Sequence, residues 1–141
     1  MAAERFEVRP VGWVHSSLLD RADAPQQGDE GAPDATVEVL APLAAGLGGL
    51  SAGQEILLFT WLHQAERTTL EVYPRNDRSR PITGVFATRS PDRPNPIGLH
   101  RVRLLAIEDG RRLRVAGLEA IDGTPVVDIK PVMGGAGDEG R

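Results

Sequence analysis

Three prolines, Pro91, Pro94 and Pro96, fall within six residues of a segment that also carries Arg89, Arg93 and Asn95; Gly84 to Arg103 reads GVFATRSPDRPNPIGLHRVR. Each proline fixes φ and removes a backbone donor, so this stretch must hold one irregular shape rather than a helix or a ladder. A loop ordered in advance loses little entropy on binding. The two guanidinium forks and the amide it carries suit a carboxylate, a phosphate or a base edge. On pattern alone two readings stand: a binding loop, or a turn whose polar groups satisfy one another.

A second block, Glu119 to Pro131, reads EAIDGTPVVDIKP. Asp122-Gly123 is a hairpin signal, and period two then puts Asp128 and Lys130 on one face of a strand. The plainer reading is an ordinary turn followed by a surface ion pair. His15, His63 and His100 show neither HExxH nor any other ligand spacing, and cysteine is absent, so no metal site is expected. GLGGL at Gly46 to Leu50 lacks the leading strand and following helix of a dinucleotide fingerprint and reads as a helix stop. Neither a P-loop nor GxSxG occurs, which removes the commonest NTPase and hydrolase readings.

The elements that must position these residues are mostly strands. Glu4 to His15 suggests a first strand kinked at Pro10, and Thr36 to Leu40 alternates as a second. Residues 20 to 35 combine prolines, glycines and acids without apolar periodicity, which predicts a long loop. Pro42 suits the start of a short helix, PLAAGL, stopped by Gly48-Gly49. Glu55 to Leu62 is an apolar run expected in a barrel wall or buried on both faces. Thr68 to Tyr73, Gly84 to Thr88, Leu99 to Ile107, Arg112 to Ala120 and Val126 to Ile129 complete eight strand candidates. With no βα alternation, they predict an all-β fold: a single-sheet antiparallel β-barrel with one short helix and long loops.

The chain's 141 residues suit one domain, expected over 1–133, with 134–141 a glycine-rich disordered tail. MAAERFEV is charged early, unlike a signal peptide, and no apolar run approaches the ~18–20 residues a membrane helix needs; a cytoplasmic protein is expected. The net charge of −4 hides an uneven distribution. From His15 to Glu55 seven acids face one base, Arg21, whereas from Arg75 to Arg103 seven arginines face Asp77 and Asp92. The basic half can meet phosphate, or it can simply balance the acidic half.

GVFATRSPDRPNPIGL together with DGTPVVDIKP resembles the signature of the TsaA-like (TrmO) family. VGWVHSS at 11 to 17, APQQG at 24 to 28 and the strand leading to His63-Gln64 extend the resemblance over nearly the whole chain. The resemblance implies a β-barrel that binds S-adenosyl-L-methionine without a Rossmann fold, as a homodimer. It also implies methylation of N6 of the threonylcarbamoyladenosine at tRNA position 37, beside the anticodon. By similarity, Gln27, Gly28, His63, Gln64, Arg89, Leu99, Gly117, Leu118 and Glu119 line the cofactor pocket. Arg93, Asn95, Asp128 and Lys130 match the signature and are assigned to the substrate. His63, Glu119 and Asp122 are the candidates for proton transfer, and Trp13 or Trp61 for stacking on a base. Two departures stand out: Val132 replaces an aromatic after DIKP, and Ser17 replaces a proline. Ten residues follow DIKP, where bacterial relatives acting on tRNA carry a further small domain. A same-fold enzyme acting on a small molecule and a noncatalytic nucleotide- or RNA-binding barrel are the alternatives.

Overall fold

Alternating burial, seen at period two along Ala35–Val39, Arg112–Ala116 and the first half of Ile97–Glu108, is what a closed sheet with one interior requires. The computed structural model describes residues 4–24 and 31–134. Through them run β1 (Gly12–His15), β2 (Ala35–Val39), β3 (Glu55–Trp61), β4 (Glu71–Val72), β5 (Thr83–Gly84), β6 (Ile97–Glu108), β7 (Arg112–Ala116) and β8 (Pro125–Pro131). Six of these close a barrel in the order β1-β2-β7-β6-β3-β8, with every pairing antiparallel. The all-β barrel expected from the sequence is present. Two of the eight strands stand apart from it, because β4 and β5 pair only with each other.

The apolar run of β3 is explained by its position between β6 and β8. Ile56, Leu58 and Thr60 point inward and are fully buried, and Leu57 on the other face is nearly so. Val14, Val37, Leu104, Leu113, Val115 and Val126 meet them in the interior. Register shifts between Leu104 and Ala106, and between Phe59 and Thr60, bend the sheet toward closure.

Several element bounds differ from the sequence reading for local reasons. The first strand begins only at Gly12, because Pro10 cannot donate and nothing pairs with the stretch before it; Phe6 remains 89% exposed. Gly12 sits against the neighbouring strand, where a Cβ would lie 2.6 Å from the Glu38 carbonyl oxygen. The predicted helix is a 3-10 helix, Ala41–Leu47, without a side-chain cap at its start. The expected strand from Gly84 to Thr88 ends at once in a 3-10 turn, Val85–Ala87, that buries Val85. β7 stops at Ala116 because Gly117 turns the chain at φ 64°, a left-handed conformation open to glycine.

Truncating Leu58 to alanine empties volume at the barrel centre and is expected to cost about 2–5 kcal/mol in urea unfolding. Val8→Ala, at an exposed position, is expected to stay within about 0.5 kcal/mol of the parent. Equal losses in the two variants would contradict this placement of the core.

Candidate active site

Antiparallel closure gathers one set of loops at one end. β1, β3 and β7 end there, at His15, Trp61 and Ala116, and β2, β6 and β8 begin there, at Ala35, Ile97 and Pro125. The described parts of the connecting segments, 16–24 with 31–34, 62–96 and 117–124, therefore share a rim, whereas 40–54 and 109–111 lie at the opposite end. The proline-rich loop, His63, Gln64, Arg89, Gly117, Leu118, Glu119 and Asp122 all fall in the shared rim. Gln27 and Gly28 belong to the same connection but lie outside the described residues.

Asp92 ties three parts of this rim together. Both its carboxylate oxygens accept from the Arg21 guanidinium at 2.8 Å, and Oδ1 also accepts from the Glu66 amide at 2.8 Å. Arg21 additionally donates to the Gln64 carbonyl at 3.2 Å. Partial burial pushes the Asp92 carboxyl up, but the Arg21 guanidinium and the Glu66 amide outweigh it and leave it below the ordinary carboxylate range. Arg67 braces the other side of the loop. It donates to the Pro94 carbonyl at 2.7 Å and to Asn95 Oδ1 at 3.1 Å, with its guanidinium 5.0 Å from the centre of the Trp61 ring. Arg93 turns inward and donates to the carbonyls of Val85 and Thr88. Its fork holds the 3-10 turn and the loop in one piece.

Beneath the rim lies a buried polar chain. His100 is 5% exposed; its Nδ1 lies 2.5 Å from Glu119 Oε1 and its Nε2 2.6 Å from the hydroxyl of fully buried Thr60. Glu119 itself is partly buried, and its second oxygen makes no hydrogen bond to the described residues. The segment leading to it is fixed by Gly117 N–H donating to Asp34 and Leu118 N–H donating to the Pro33 carbonyl. Leu118 sends its side chain into the core, so toward the rim it offers backbone.

The remaining sequence candidates divide by their partners. Arg89 and His63 are exposed and pair with nothing among the described residues. Asp122 accepts from the Ser16 amide at 3.0 Å, and its own amide donates to Leu18, which pins the end of β1 to the β7–β8 turn. Asp128 and Lys130 pair with each other at 3.2 Å on the outer wall, and Lys130 lies 6.0 Å over the Phe59 ring. Leu99 is on that outer wall too, opposite Phe59. Trp13 is half-exposed on β1. A shallow groove of about 320 Å³ opens beside the rim between β1, β2 and β7, lined by His15, Ser16, Ser17, Asp34, Thr36 and Arg114. Among the described residues no group of His, Asp or Glu side chains converges to hold a metal.

Arg21, Arg67, Asp92, Thr60 and His100 were not singled out by the sequence as site residues. A signal for His100 was there: it alternates with Val102 and Leu104 and so faces inward. Arg21 and Asp92 each carry a charge opposite to that of their own segment, which is the other readable sign. Because its carboxyl is held low, Asp92 contributes fully above the ordinary aspartate value, near pH ~4, and the contribution is lost as the pH falls through its lowered value. Asp92→Ala is expected to speed amide exchange at Glu66 and along the proline loop about tenfold at neutral pH, a loss of ~1.4 kcal/mol. Unchanged exchange there would show that the carboxylate does not hold these segments.

Residues 13–136 match the family model described as the tRNA-methyltransferase O N-terminal domain. A probable S-adenosyl-L-methionine-binding protein of Methanothermobacter thermautotrophicus is 44% identical over 131 residues, covering 93% of either chain. An S-adenosyl-L-methionine-binding protein of Archaeoglobus fulgidus is 39% identical over 123 residues, covering 87% of this chain and 86% of the relative. The crystal structure of TrmO from Pseudomonas aeruginosa is similar with a TM-score of 0.70 and 36% identity; the match covers 91% of this chain but only 56% of that one. With all of its barrel but Gly12 inside the matched region, the chain belongs to the tRNA-methyltransferase O N-terminal domain family.

Proposed function

We propose that this protein is an S-adenosyl-L-methionine-dependent methyltransferase that methylates N6 of threonylcarbamoyladenosine beside the tRNA anticodon. One observation carries the reading: in a chain of this family, an arginine and a histidine unpaired among the described residues, and a glutamate with one oxygen bonded, share one barrel rim, closed by the Arg21–Asp92 pair. The donor set suits the cofactor. Arg89 can take its carboxylate, the open oxygen of Glu119 can accept from the ribose hydroxyls or face the positive sulfur, and Gly117 allows close backbone approach. Relatives named for binding S-adenosyl-L-methionine support the same assignment.

When bound, the cofactor supplies a methyl group on a positively charged sulfur, already activated for in-line displacement. What the chain must add is position, and holding the reactants at near-attack distance is worth up to ~7–11 kcal/mol. The proline loop, held by Arg67, Asp92 and Arg93, serves this by keeping Arg89 in place without an ordering cost on binding. The accepting nitrogen is urea-like and a poor nucleophile, so a proton acceptor helps. His63 has a free imidazole at the rim and is the residue assigned to that task. Glu119 is committed to the cofactor, and Asp122 to the Ser16 amide.

The substrate side is the tRNA anticodon loop, with exposed Asn95 toward it. Arg93, Asp128 and Lys130 support the loop and the wall. Homodimer formation is part of the proposal: Leu70, Ile82 and Phe86 are exposed around the β4–β5 ribbon, and a second copy would cover them. No described helix is long and apolar enough to cross a membrane, and the cytoplasm is the proposed place of work.

Incubation with S-adenosyl-L-methionine and tRNA from cells lacking the native enzyme, followed by mass spectrometry of the nucleosides, is expected to show one added methyl on threonylcarbamoyladenosine. Arg89→Ala is expected to lower kcat/KM about 10–100-fold, as loss of a charge-assisted contact does. An unmethylated tRNA pool despite measurable cofactor binding would favour a small-molecule substrate. An unchanged rate in Arg89→Ala would remove that residue from the site.

A further inference from the structure

The buried Thr60, His100 and Glu119 chain is not explained by packing. An apolar residue at position 100 would fill the same interior space beside Val102 with no polar group to satisfy, and buried polar groups are retained at a cost unless they are bonded. Here every ring position is used. In the neutral ring the ionised Glu119 carboxylate, which can only accept, puts the hydrogen on Nδ1, and Nε2 then accepts from the Thr60 hydroxyl. Gly98 makes room for this: a Cβ there would lie 2.4 Å from Thr60 Oγ1 and 2.7 Å from His100 Nε2. Two strands, β3 and β6, and the segment after β7 thus contribute to fixing a single carboxylate oxygen.

The consequence falls on the other oxygen. With Oε1 anchored inside, Glu119 can rotate little about its last torsion, and Oε2 is the one left without a hydrogen bond among the described residues on this partly exposed side chain. We infer that His100, oriented by the Thr60 hydroxyl, is a positioning residue that fixes the tautomer of its ring and the direction of the Glu119 carboxylate toward the cofactor. This rests on the assignment of Glu119 to S-adenosyl-L-methionine made above. The arrangement is the same second-layer logic that orients ligating groups at metal sites, with the carboxylate as the oriented group. His100 touches neither cofactor nor substrate and acts only through Glu119.

The test is calorimetry of S-adenosyl-L-methionine binding to the full chain and to Glu119→Gln, Thr60→Val, Thr60→Ser and the Glu119→Gln/Thr60→Val double variant, each checked by thermal melting. Thr60→Val keeps shape but removes the hydroxyl and is expected to weaken binding about three- to tenfold, Glu119→Gln about tenfold, corresponding to ~1.4 kcal/mol. Thr60→Ser is expected to restore affinity, and the double variant to bind no worse than Glu119→Gln alone, which a purely structural role for Thr60 would not produce. Ring-nitrogen NMR of the wild type reads the tautomer independently of any variant: Nδ1 protonated and Nε2 bare are expected, and the reverse overturns the inference. Parent affinity in Thr60→Val, with Glu119→Gln weakened, overturns this inference alone. Parent affinity in Glu119→Gln overturns the assignment of Glu119 to the cofactor, and this inference with it.

Discussion

Closing six antiparallel strands on themselves gives every strand of the wall a neighbour on both sides, and the interior is filled with side chains. A barrel this narrow holds no ligand inside. Chemistry has to be done where strands end, and antiparallel order sends three of the connections, including both long ones that carry the family signature, to the same end. Everything else about the site is a consequence of that placement. Glu119 follows β7, His63 and Gln64 follow β3, and the proline loop precedes β6, so residues far apart in sequence become neighbours around one mouth.

Loops at a rim must still be held to one shape, and this chain does it with charge as well as proline. The acidic first connection contributes its one arginine, Arg21, and the arginine-rich second connection contributes an aspartate, Asp92. Each charge runs against the balance of its own segment, and the two meet. Partial burial makes that pair worth more than a fully exposed one, and the Glu66 amide adds a third anchor. The two arginines of the proline loop then take different tasks. Arg93 is spent on carbonyls of its own turn, while Arg89, four residues earlier, remains exposed and unpaired. Identical side chains in one motif are thus separated into a half-buried brace and an exposed fork by which way the backbone turns them.

Much of this was legible in the sequence. The strand candidates, the absence of βα alternation and the prolines of the 84–103 segment led to a barrel with a rigid loop, and the signature blocks led to the family. The long first strand was misread because apolar Phe6 and Val8 resemble strand residues, although nothing pairs with them. The Gly84–Thr88 strand was misread because propensity favours β there, whereas burial of Val85 draws the chain into a 3-10 turn. Pairings across the fold were beyond reach of a single sequence. No spacing rule connects Arg21 with Asp92, 71 residues on, or Thr60 with His100, 40 residues on. His100 looked like one basic residue among arginines until strand pairing put Arg101 outside and the imidazole inside.

The central claim is that the cofactor is held at one rim, by the connections that antiparallel closure brings together. Amide chemical-shift mapping of the isotopically labelled chain with S-adenosylhomocysteine addresses it directly, since that product analogue keeps the carboxylate, ribose and adenine that the rim residues would contact. The account predicts shifts clustered in 62–67, 86–95 and 117–122, together with Ser16 and Ser17, and none beyond noise at 40–54 or 109–111. Perturbation centred on those opposite loops, or spread evenly around the barrel wall, would contradict it.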